Sequence, residues 1–248
     1  MKKNHWTVLV AALALAHGAA WAADDGDSWK IAAELGAITT SGNTNGTSVS
    51  GKIDARQELP DWSNQYIVTG YFKEDEYTSK EGIRTSKRSA GRYAVSAKAA
   101  YKLVDKSDRL FVLASHVDDK FGAYTSYSTL SVGHGTRWYN SPAASMDVEV
   151  GPGYVSSERA NGEAESGFTV RGAAAVKWQL SQDAHFSQTV SVERGTSNVH
   201  SSAESALSTR INGAMQMKAA FIARSDTNVP DTRKNTDTQT SVTLVYAF

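Results

Sequence analysis

The chain has 248 residues with 26 basic and 26 acidic side chains, so its formal net charge at pH 7 is zero. This balance gives no sign of a nucleic-acid partner, and the absence of cysteine excludes a disulfide framework and thiolate metal sites. The length allows one large domain or two small ones.

The amino-terminal residues 1–22 have the pattern of a secretory signal peptide. Two lysines precede the apolar run 7–16, which is too short to cross a bilayer, and an A-x-A-like cleavage site ends at Ala22. We therefore expect an exported protein whose signal is cleaved near this alanine. A short acidic linker over 23–28 then leads to a folded domain over 29–248.

From residue 29 onward, apolar residues return at every second position in one run after another, which predicts β-strands. In the first run Trp29 and Leu35 share one face and Glu34 lies on the other. Asn-Gly at 212–213 is a strong hairpin signal, and Pro152 suggests a bulge or an early strand end. The twelve predicted strands cover 29–39, 47–58, 65–76, 88–103, 109–119, 127–139, 146–154, 168–178, 184–194, 204–211, 217–224 and 238–248.

The connections between these strands alternate in length. Those after odd-numbered strands are longer and polar, as at 75–87, 157–165, 195–202 and 225–236, whereas those after even-numbered strands are short. This asymmetry is typical of an outer-membrane β-barrel with both termini in the periplasm, and a soluble β-sandwich does not predict it. An even strand number also lets a closed antiparallel sheet satisfy its backbone hydrogen bonds in lipid. We predict an all-β, closed transmembrane barrel of about twelve strands over 29–248.

The last predicted strand, 238–248, ends on an aromatic residue. Leu244, Tyr246 and Phe248 share one mostly apolar face, while Ser241 faces the other way. The segment resembles the carboxyl-terminal signal of bacterial outer-membrane proteins, which the barrel assembly machinery recognises. The resemblance implies that these three residues act as an assembly signal.

Several short motifs carry a family resemblance. They are Trp29 with Glu34-Leu35-Gly36, the run Ser41-Gly42-Asn43-Thr44, the run Asp118-Asp119-Lys120-Phe121, the run Gly151-Pro152-Gly153-Tyr154, and the closing 241–248. Together they resemble the YdiY-like salt-induced outer-membrane proteins, a domain family of unknown function. The resemblance implies the barrel fold, an outer-membrane location and a link to salt or osmotic stress, but it implies no mechanism.

Charged residues gather on the predicted inward face of the strands. A ring of fixed positive charge lowers the entry barrier for anions, so this face predicts a narrow aqueous pore with a mild anion preference. The alternative is a lumen filled by salt bridges, because a barrel of this size lies between the filled and the open classes. The residues predicted to line the pore are Glu34, Lys52, Asp54, Arg56, Arg92, Lys98, Glu149, Arg171, Lys177, Arg210 and Arg224, and Arg88 has the same parity.

A second group of polar residues lies near the predicted extracellular rim. His116 and Asp118 share a parity, with Asp119 adjacent, and a histidine with a carboxylate can activate water. This arrangement is the basis of an alternative function as a barrel enzyme at the rim. The more ordinary interpretation is a set of polar rim residues, so we expect no enzyme, metal site or cofactor. A third alternative is a closed barrel whose loops bind a partner.

The sequence thus predicts partners of three kinds. The apolar strand faces require outer-membrane lipid, and the closing strand implies contact with the barrel assembly machinery. Small anionic or neutral solutes are the expected cargo of a pore. Nucleic acid is not an expected partner.

Overall fold

The computed structural model describes residues 28–41, 46–78, 84–105 and 107–248. The predicted signal peptide and nearly all of the linker therefore lie outside the described residues, as does the centre of the first turn. Within the described part of the chain, no helix is long and apolar enough to cross a bilayer.

Twelve antiparallel strands form one closed barrel in the described residues. Each strand pairs with its neighbours in sequence, and the first pairs with the last. This confirms the predicted closed barrel and its strand number. The strands are β1 (Ser28–Ser41), β2 (Gly46–Glu58), β3 (Trp62–Thr78), β4 (Arg84–Lys102), β5 (Asp108–Asp119), β6 (Tyr124–Asn140), β7 (Ala144–Arg159), β8 (Ala164–Gln179), β9 (Ala184–Arg194), β10 (Val199–Arg210), β11 (Met215–Asp226) and β12 (Thr236–Ala247).

The barrel is closed by the pairing of β1 with β12. Leu35 lies opposite Leu244, and the backbone N–H of Phe248 donates to the carbonyl of Ile31 at 2.9 Å. We call the end where β1 begins and β12 finishes the terminal end, and the opposite end the loop end. Because every strand has two partners, the sheet has no open edge through the barrel wall.

The two faces of the wall have opposite polarity. On β12, Val242 and Leu244 point outward with about half of their surface exposed, whereas Ser241 and Thr243 point inward and are buried. A soluble protein would bury the first pair and expose the second. The fold is therefore that of a transmembrane β-barrel, with an apolar outer face and polar side chains that face the lumen.

Aromatic side chains form two girdles on the outer face. Such girdles flank an apolar band of about 25 Å in barrels that cross the outer membrane. Edge-to-face contacts join Trp62 to Tyr101 and Tyr154 to Phe168. The girdle at the terminal end contains Trp29, Trp62, Tyr101, Trp138, Trp178, Tyr246 and Phe248, and that at the loop end contains Phe72, Tyr93, Tyr154 and Phe168.

The long connections predicted after odd-numbered strands are mostly wrong. Residues 75–87 are largely strand, since β3 continues to Thr78 and β4 begins at Arg84. These segments pair with each other beyond the end of β5. The longest connection in the described residues is 227–235, between β11 and β12.

The bulge expected at Pro152 is also wrong, because β7 keeps the same register on both sides of it. The ladder between β6 and β7 is interrupted between the pairs Ser131–Gly153 and His134–Val150, so the missing proline N–H falls at an interruption. A Cβ atom on Gly151 would lie 2.6 Å from the Cα of Gly133. The two strands approach closely here, and only glycines allow it.

Candidate functional site in the barrel lumen

The structure places all eleven predicted pore-lining residues on inward-facing positions of their strands. This follows from the register, since each shares its parity with buried or salt-bridged inward residues. Their roles as pore-lining groups remain predictions. The structure adds the contacts among them, which divide the lumen into a middle section, a terminal-end vestibule and a loop-end section.

One half of the middle section is a chain of alternating charges. The ammonium of Lys98 on β4 contacts the carboxylate of Glu149 on β7, three strands away. Glu149 also lies 3.4 Å from Arg171 on β8, which lies 3.4 Å from Glu193 on β9. These side chains expose between 11% and 21% of their surface, so water reaches them only in part.

The other half of the middle section has the same alternation. Lys218 on β11 lies 2.9 Å from Glu204 and 3.4 Å from Glu34. Lys52 lies 3.6 Å from Glu34 and 3.8 Å from Asp54. Each charge thus has partners of opposite sign, as the salt-bridged alternative predicted.

The lumen between these chains contains an aromatic ring. Phe111 is only 2% exposed and points inward, and the Lys98 ammonium lies 5.1 Å from its centroid. Phe111, Leu113 and Val117 share one parity in the sequence, which predicts that they lie on the apolar outer face. This prediction is wrong, because Leu110 and Val112 face outward and the parity of Phe111 faces the lumen. Glycine at 133 leaves room for the Phe111 ring, since a Cβ there would lie 2.9 Å from its edge.

The terminal-end vestibule holds an excess of positive charge. Arg56 binds Asp54 through two hydrogen bonds of 3.1 Å. Asp147 accepts two hydrogen bonds from Arg137, at 2.9 and 3.0 Å, and a third of 2.7 Å from Arg109. These paired groups occupy the lumen wall near the short turns.

One further cation faces these pairs from β8. Lys177 is exposed and forms no salt bridge with any residue that the structure describes. Its ammonium interacts electrostatically with Arg56, Asp54, Arg137 and Asp147. Since β8 and β2 are six strands apart in a closed order of twelve, Lys177 and Arg56 project from opposite walls.

A turn beside this vestibule contains a carboxyl with an altered pKa. The backbone N–H and the hydroxyl of Ser107 donate to Asp105 at 3.1 and 2.8 Å. These hydrogen bonds to the ionised form lower the pKa of Asp105 below its ordinary value. The turn between β4 and β5 therefore keeps a negative charge at neutral pH.

Bulky side chains narrow the loop-end section. The Tyr127 hydroxyl donates to Glu193 at 3.3 Å, and its ring lies 5.0 Å from that of His200. His200 shares a hydrogen bond of 2.9 Å with Asp226. A cavity of about 70 Å³ remains beside them, which has room for only a few water molecules.

The β11–β12 loop, residues 227–235, crosses the mouth above this section. The first residues of the loop are held by Asn198, whose side-chain oxygen accepts hydrogen bonds from the backbone N–H groups of Thr227 and Asn228. On the opposite wall, the Tyr124 hydroxyl donates to the Asn228 carbonyl and Arg233 donates to the Phe121 carbonyl, both at 2.9 Å. The loop is therefore fastened to both sides of the mouth.

The three rim candidates do not form one site. His116 lies on the outward face, where it shares a hydrogen bond of 2.8 Å with Ser128 and contacts the ring of Tyr93. Asp118 has the same outward parity. Asp119 points inward, lines the loop-end cavity and accepts backbone hydrogen bonds from 121 and 122. Neighbouring residues of a strand face opposite sides, so His116 and Asp119 are separated by the barrel wall.

The predicted inward position of Arg88 is wrong. Its parity predicted an inward side chain, but a bulge shifts the register between β3 and β4 so that Lys73 pairs with Ala90 and Glu74 with Arg88. The extra residue reverses the facing. The Arg88 guanidinium consequently lies on the outer face, 4.6 Å from the centroid of the Phe72 ring.

The residues of the predicted assembly signal lie on the outer face at the terminal end. Leu244, Tyr246 and Phe248 are each about half exposed, and the last two rings are in edge-to-face contact at 4.7 Å. This placement agrees with the predicted strand parity, and the assembly role remains a prediction.

Some residues of the lumen were not singled out from the sequence. The sequence pattern did not reveal Arg109, because it predicted the wrong face for the residues of β5. Arg137 could have been found, because its parity predicts an inward side chain. The contacts of Tyr127, His200 and Asp226 join strands far apart in sequence, and a pattern of period two carries no signal for them.

Comparison with known proteins identifies the family. A family model described as "Protein of unknown function, DUF481" matches residues 33–248. The chain belongs to this family. A relative, "Uncharacterized protein YdiY" of Escherichia coli (strain K12), is 30% identical to the chain over 162 residues. The match covers 65% of this chain and 64% of YdiY, so it spans just under two thirds of that relative's length. The YdiY-like resemblance is confirmed.

Solved structures support the fold of this DUF481 member. The NanC porin has a TM-score of 0.57 at 9% identity, with 86% of this chain and 98% of the porin covered. An outer-membrane channel from Pseudomonas putida F1 has a TM-score of 0.52 at 9% identity, with 93% and 98% covered. At such low identities the likeness concerns the barrel fold.

Proposed function

We propose that this protein is a narrow passive pore of the bacterial outer membrane that admits small anionic or neutral solutes. The observation that carries the proposal is the reversed polarity of the wall, with Leu244 and Val242 outside and a charged lumen inside. Charged groups such as Glu34 and Lys218 need water or partners around them, and a lumen supplies both. The fold likeness to a porin and to a channel agrees with this proposal.

In this proposal the terminal end faces the periplasm. The turns at that end are short, and the nine-residue connection 227–235 lies at the other end. Outer-membrane barrels have short periplasmic turns and longer extracellular loops. Export by a cleaved signal over 1–22 and a role under salt or osmotic stress belong to the same proposal, and they rest on the sequence pattern and on the family resemblance.

The anion preference is assigned to the vestibule. The vestibule places the cations Arg56, Arg109, Arg137 and Lys177 around the two carboxylates Asp54 and Asp147, while a third carboxylate, Glu58, is paired with Lys102. The middle section, by contrast, alternates its charges. A local excess of positive charge raises the concentration of anions at an entrance.

The test is conductance in a planar lipid bilayer. Purified protein is expected to give stable unit currents with a reversal potential that favours anions in a salt gradient. Arg92→Glu places a negative charge on the inward face of β4 in the loop-end section and should reduce the unit conductance. Arg88→Glu makes the same charge change on the outward side of that strand and serves as the matched control.

The outcomes separate the alternatives clearly. Absence of unit conductance from folded protein would overturn the pore. Equal effects of the two variants would show that the currents do not pass the inward face of β4. Full conductance with an unchanged reversal potential in Arg109→Glu, which reverses a vestibule charge, would remove the selectivity assignment.

A closed barrel that binds a partner is the second candidate function. The observation in its favour is the loop 227–235, which is hydrogen-bonded to both sides of the mouth. In that case the bilayer would stay silent, and a partner retained by the loop end would be lost on shortening this loop. An enzyme at the rim has no comparable support, since His116 and Asp118 lie on the outward parity of the wall and Asp119, on the lumen side, cannot join them.

A further inference from the structure

We propose that the terminal-end vestibule contains a binding site for one small oxyanion, centred on Lys177. The ligand class is a compact anion with two or more oxygens, such as phosphate or a small carboxylate. The inference rests on the proposed pore for the route by which the anion arrives. It goes beyond that pore because it names a site that holds an anion, where the pore requires only a preference for anions.

The vestibule cluster carries more positive than negative charge. Arg56 and Asp54 neutralise each other through two hydrogen bonds, and Arg137 and Asp147 do the same. Arg109 shares the Asp147 carboxylate, and the nearby Glu58 carboxylate is paired with Lys102 at 3.0 Å, so the charge of Arg109 is not balanced within the cluster. Lys177 has no ion pair in the described part of the chain, so these groups together carry an excess of two positive charges.

The guanidiniums of Arg56 and Arg137 have N–H donors that their aspartate partners do not use. A guanidinium has five N–H donors, and the two hydrogen bonds of Arg56 to Asp54 leave further donors directed elsewhere. The same is true of Arg137 on Asp147. Both side chains are more than one third exposed to the lumen. An oxyanion can therefore accept hydrogen bonds from these guanidiniums without displacing either aspartate.

Lys177 is placed so that its ammonium can extend into the lumen. Its strand neighbours at the paired positions are Ser145 and Ser187, which are small and leave the ammonium free to extend into the lumen. Arg56 projects from the opposite wall. An anion between the two walls would be attracted from both sides, and such charge-assisted hydrogen bonds are the stronger class.

The site is also distinct from the rest of the lumen. In the middle section Lys218 already contacts Glu204 and Glu34, so an incoming anion would have to replace a carboxylate there. Lys102, at the same end of the lumen as Lys177, is bound to Glu58 at 3.0 Å and to the Leu59 carbonyl at 2.7 Å. Among these lysines, only Lys177 presents an ammonium without a carboxylate partner in the described residues.

The experiment measures equilibrium binding of inorganic phosphate to the folded protein in lipid nanodiscs by titration calorimetry, at constant ionic strength maintained with sodium chloride. Saturable binding at one site per barrel is expected. Lys177→Gln should weaken it about tenfold, the loss expected for one charge-assisted hydrogen bond, and Lys177→Arg should keep most of it. The double variant Lys102→Gln with Glu58→Gln removes one positive charge from the same end together with its carboxylate partner, so the net charge is unchanged and the affinity should change less than about twofold.

Two results would overturn the site. One is the absence of saturable phosphate binding, and the other is an equal loss in Lys177→Gln and in the double variant Lys102→Gln with Glu58→Gln, which would show that the loss does not come from the Lys177 ammonium. Failure of the pore gives a different result. Binding without bilayer currents leaves the site standing and removes the pore, whereas currents without binding remove the site and leave the pore standing.

Discussion

Lys98 and Glu149 contact each other across the lumen although three strand steps separate β4 from β7. The contact passes over Phe111, whose ring fills the space that glycine at 133 leaves open. The intervening wall therefore carries small residues and one inward ring. This pair ties two distant parts of the barrel together and divides the lumen at mid-height.

Removing one member of this pair should destabilise the barrel. Glu149→Gln leaves the Lys98 ammonium with Phe111 as its main contact, and we expect a loss of about 1–2 kcal/mol in unfolding free energy. This is below the 3–5 kcal/mol of a fully buried pair because both side chains keep some contact with water. Urea unfolding in lipid vesicles, followed by tryptophan fluorescence, measures the change.

A double-mutant cycle with Lys98→Met isolates the pair from its neighbours. The expected coupling is about 1 kcal/mol, because Arg171 continues to interact with position 149 in the single lysine variant. A coupling near zero would show that water screens the pair fully, and it would contradict the expectation that the pair stabilises the barrel.

The close approach of Gly133 and Gly151 gives a prediction for the wall itself. Gly151→Ala places a methyl group against the backbone of β6 and should cost about 1–3 kcal/mol, the usual range for overpacking. Gly172→Ala on the neighbouring strand is the matched control, since a Cβ there meets nothing within 4 Å. The same unfolding measurement should find that control within about 0.5 kcal/mol of the parent protein. Equal stabilities of the two variants would mean that the wall yields at Gly151.

The loop over the mouth predicts a change in conductance. Tyr124→Phe combined with Arg233→Ala removes both hydrogen bonds that hold 227–235 to the far wall. We expect larger or more frequent unit currents, because each lost bond contributes about 1 kcal/mol to the closed arrangement. Thr125→Ala removes a hydrogen bond to the Glu158 carbonyl at the same rim without touching the loop, and it should leave the currents unchanged. Unaltered currents in the double variant would show that the loop does not restrict the path.

The strand number and the polarity of most strands could be predicted from the sequence because both depend on a period of two. Leu244 and Glu34 fall on the expected faces for this reason. The period fails where the register shifts, as at Arg88, where one bulged residue reverses the facing. It also fails at Phe111, because an inward aromatic ring next to a glycine resembles an outward one in the sequence.

The contacts inside the lumen lie beyond such a pattern. Lys98 pairs with Glu149, and not with a residue of its own or a neighbouring strand, because strand tilt and side-chain length decide which charges meet. The loop 227–235 looks like any polar connection in the sequence, and only the fold shows that it reaches Tyr124 on the opposite wall. The signal over 1–22 lies outside the described residues, so it remains a sequence-based prediction.

The last strand gives a prediction for assembly that is separate from stability. Phe248 contacts Tyr246 on the outer face and donates one backbone hydrogen bond to Ile31. Its side chain is about half exposed toward lipid, so its loss removes little packing within the barrel. Deletion of Phe248 should therefore lower the yield of folded protein in the outer membrane severalfold, while the protein that does insert keeps nearly the parent unfolding midpoint. Phe168→Ala is the control, because that ring is also exposed on the outer face but lies at the loop end. Heat-modifiable migration of the membrane fraction on gels measures the folded yield, and a yield equal to that of the control would remove the assembly role.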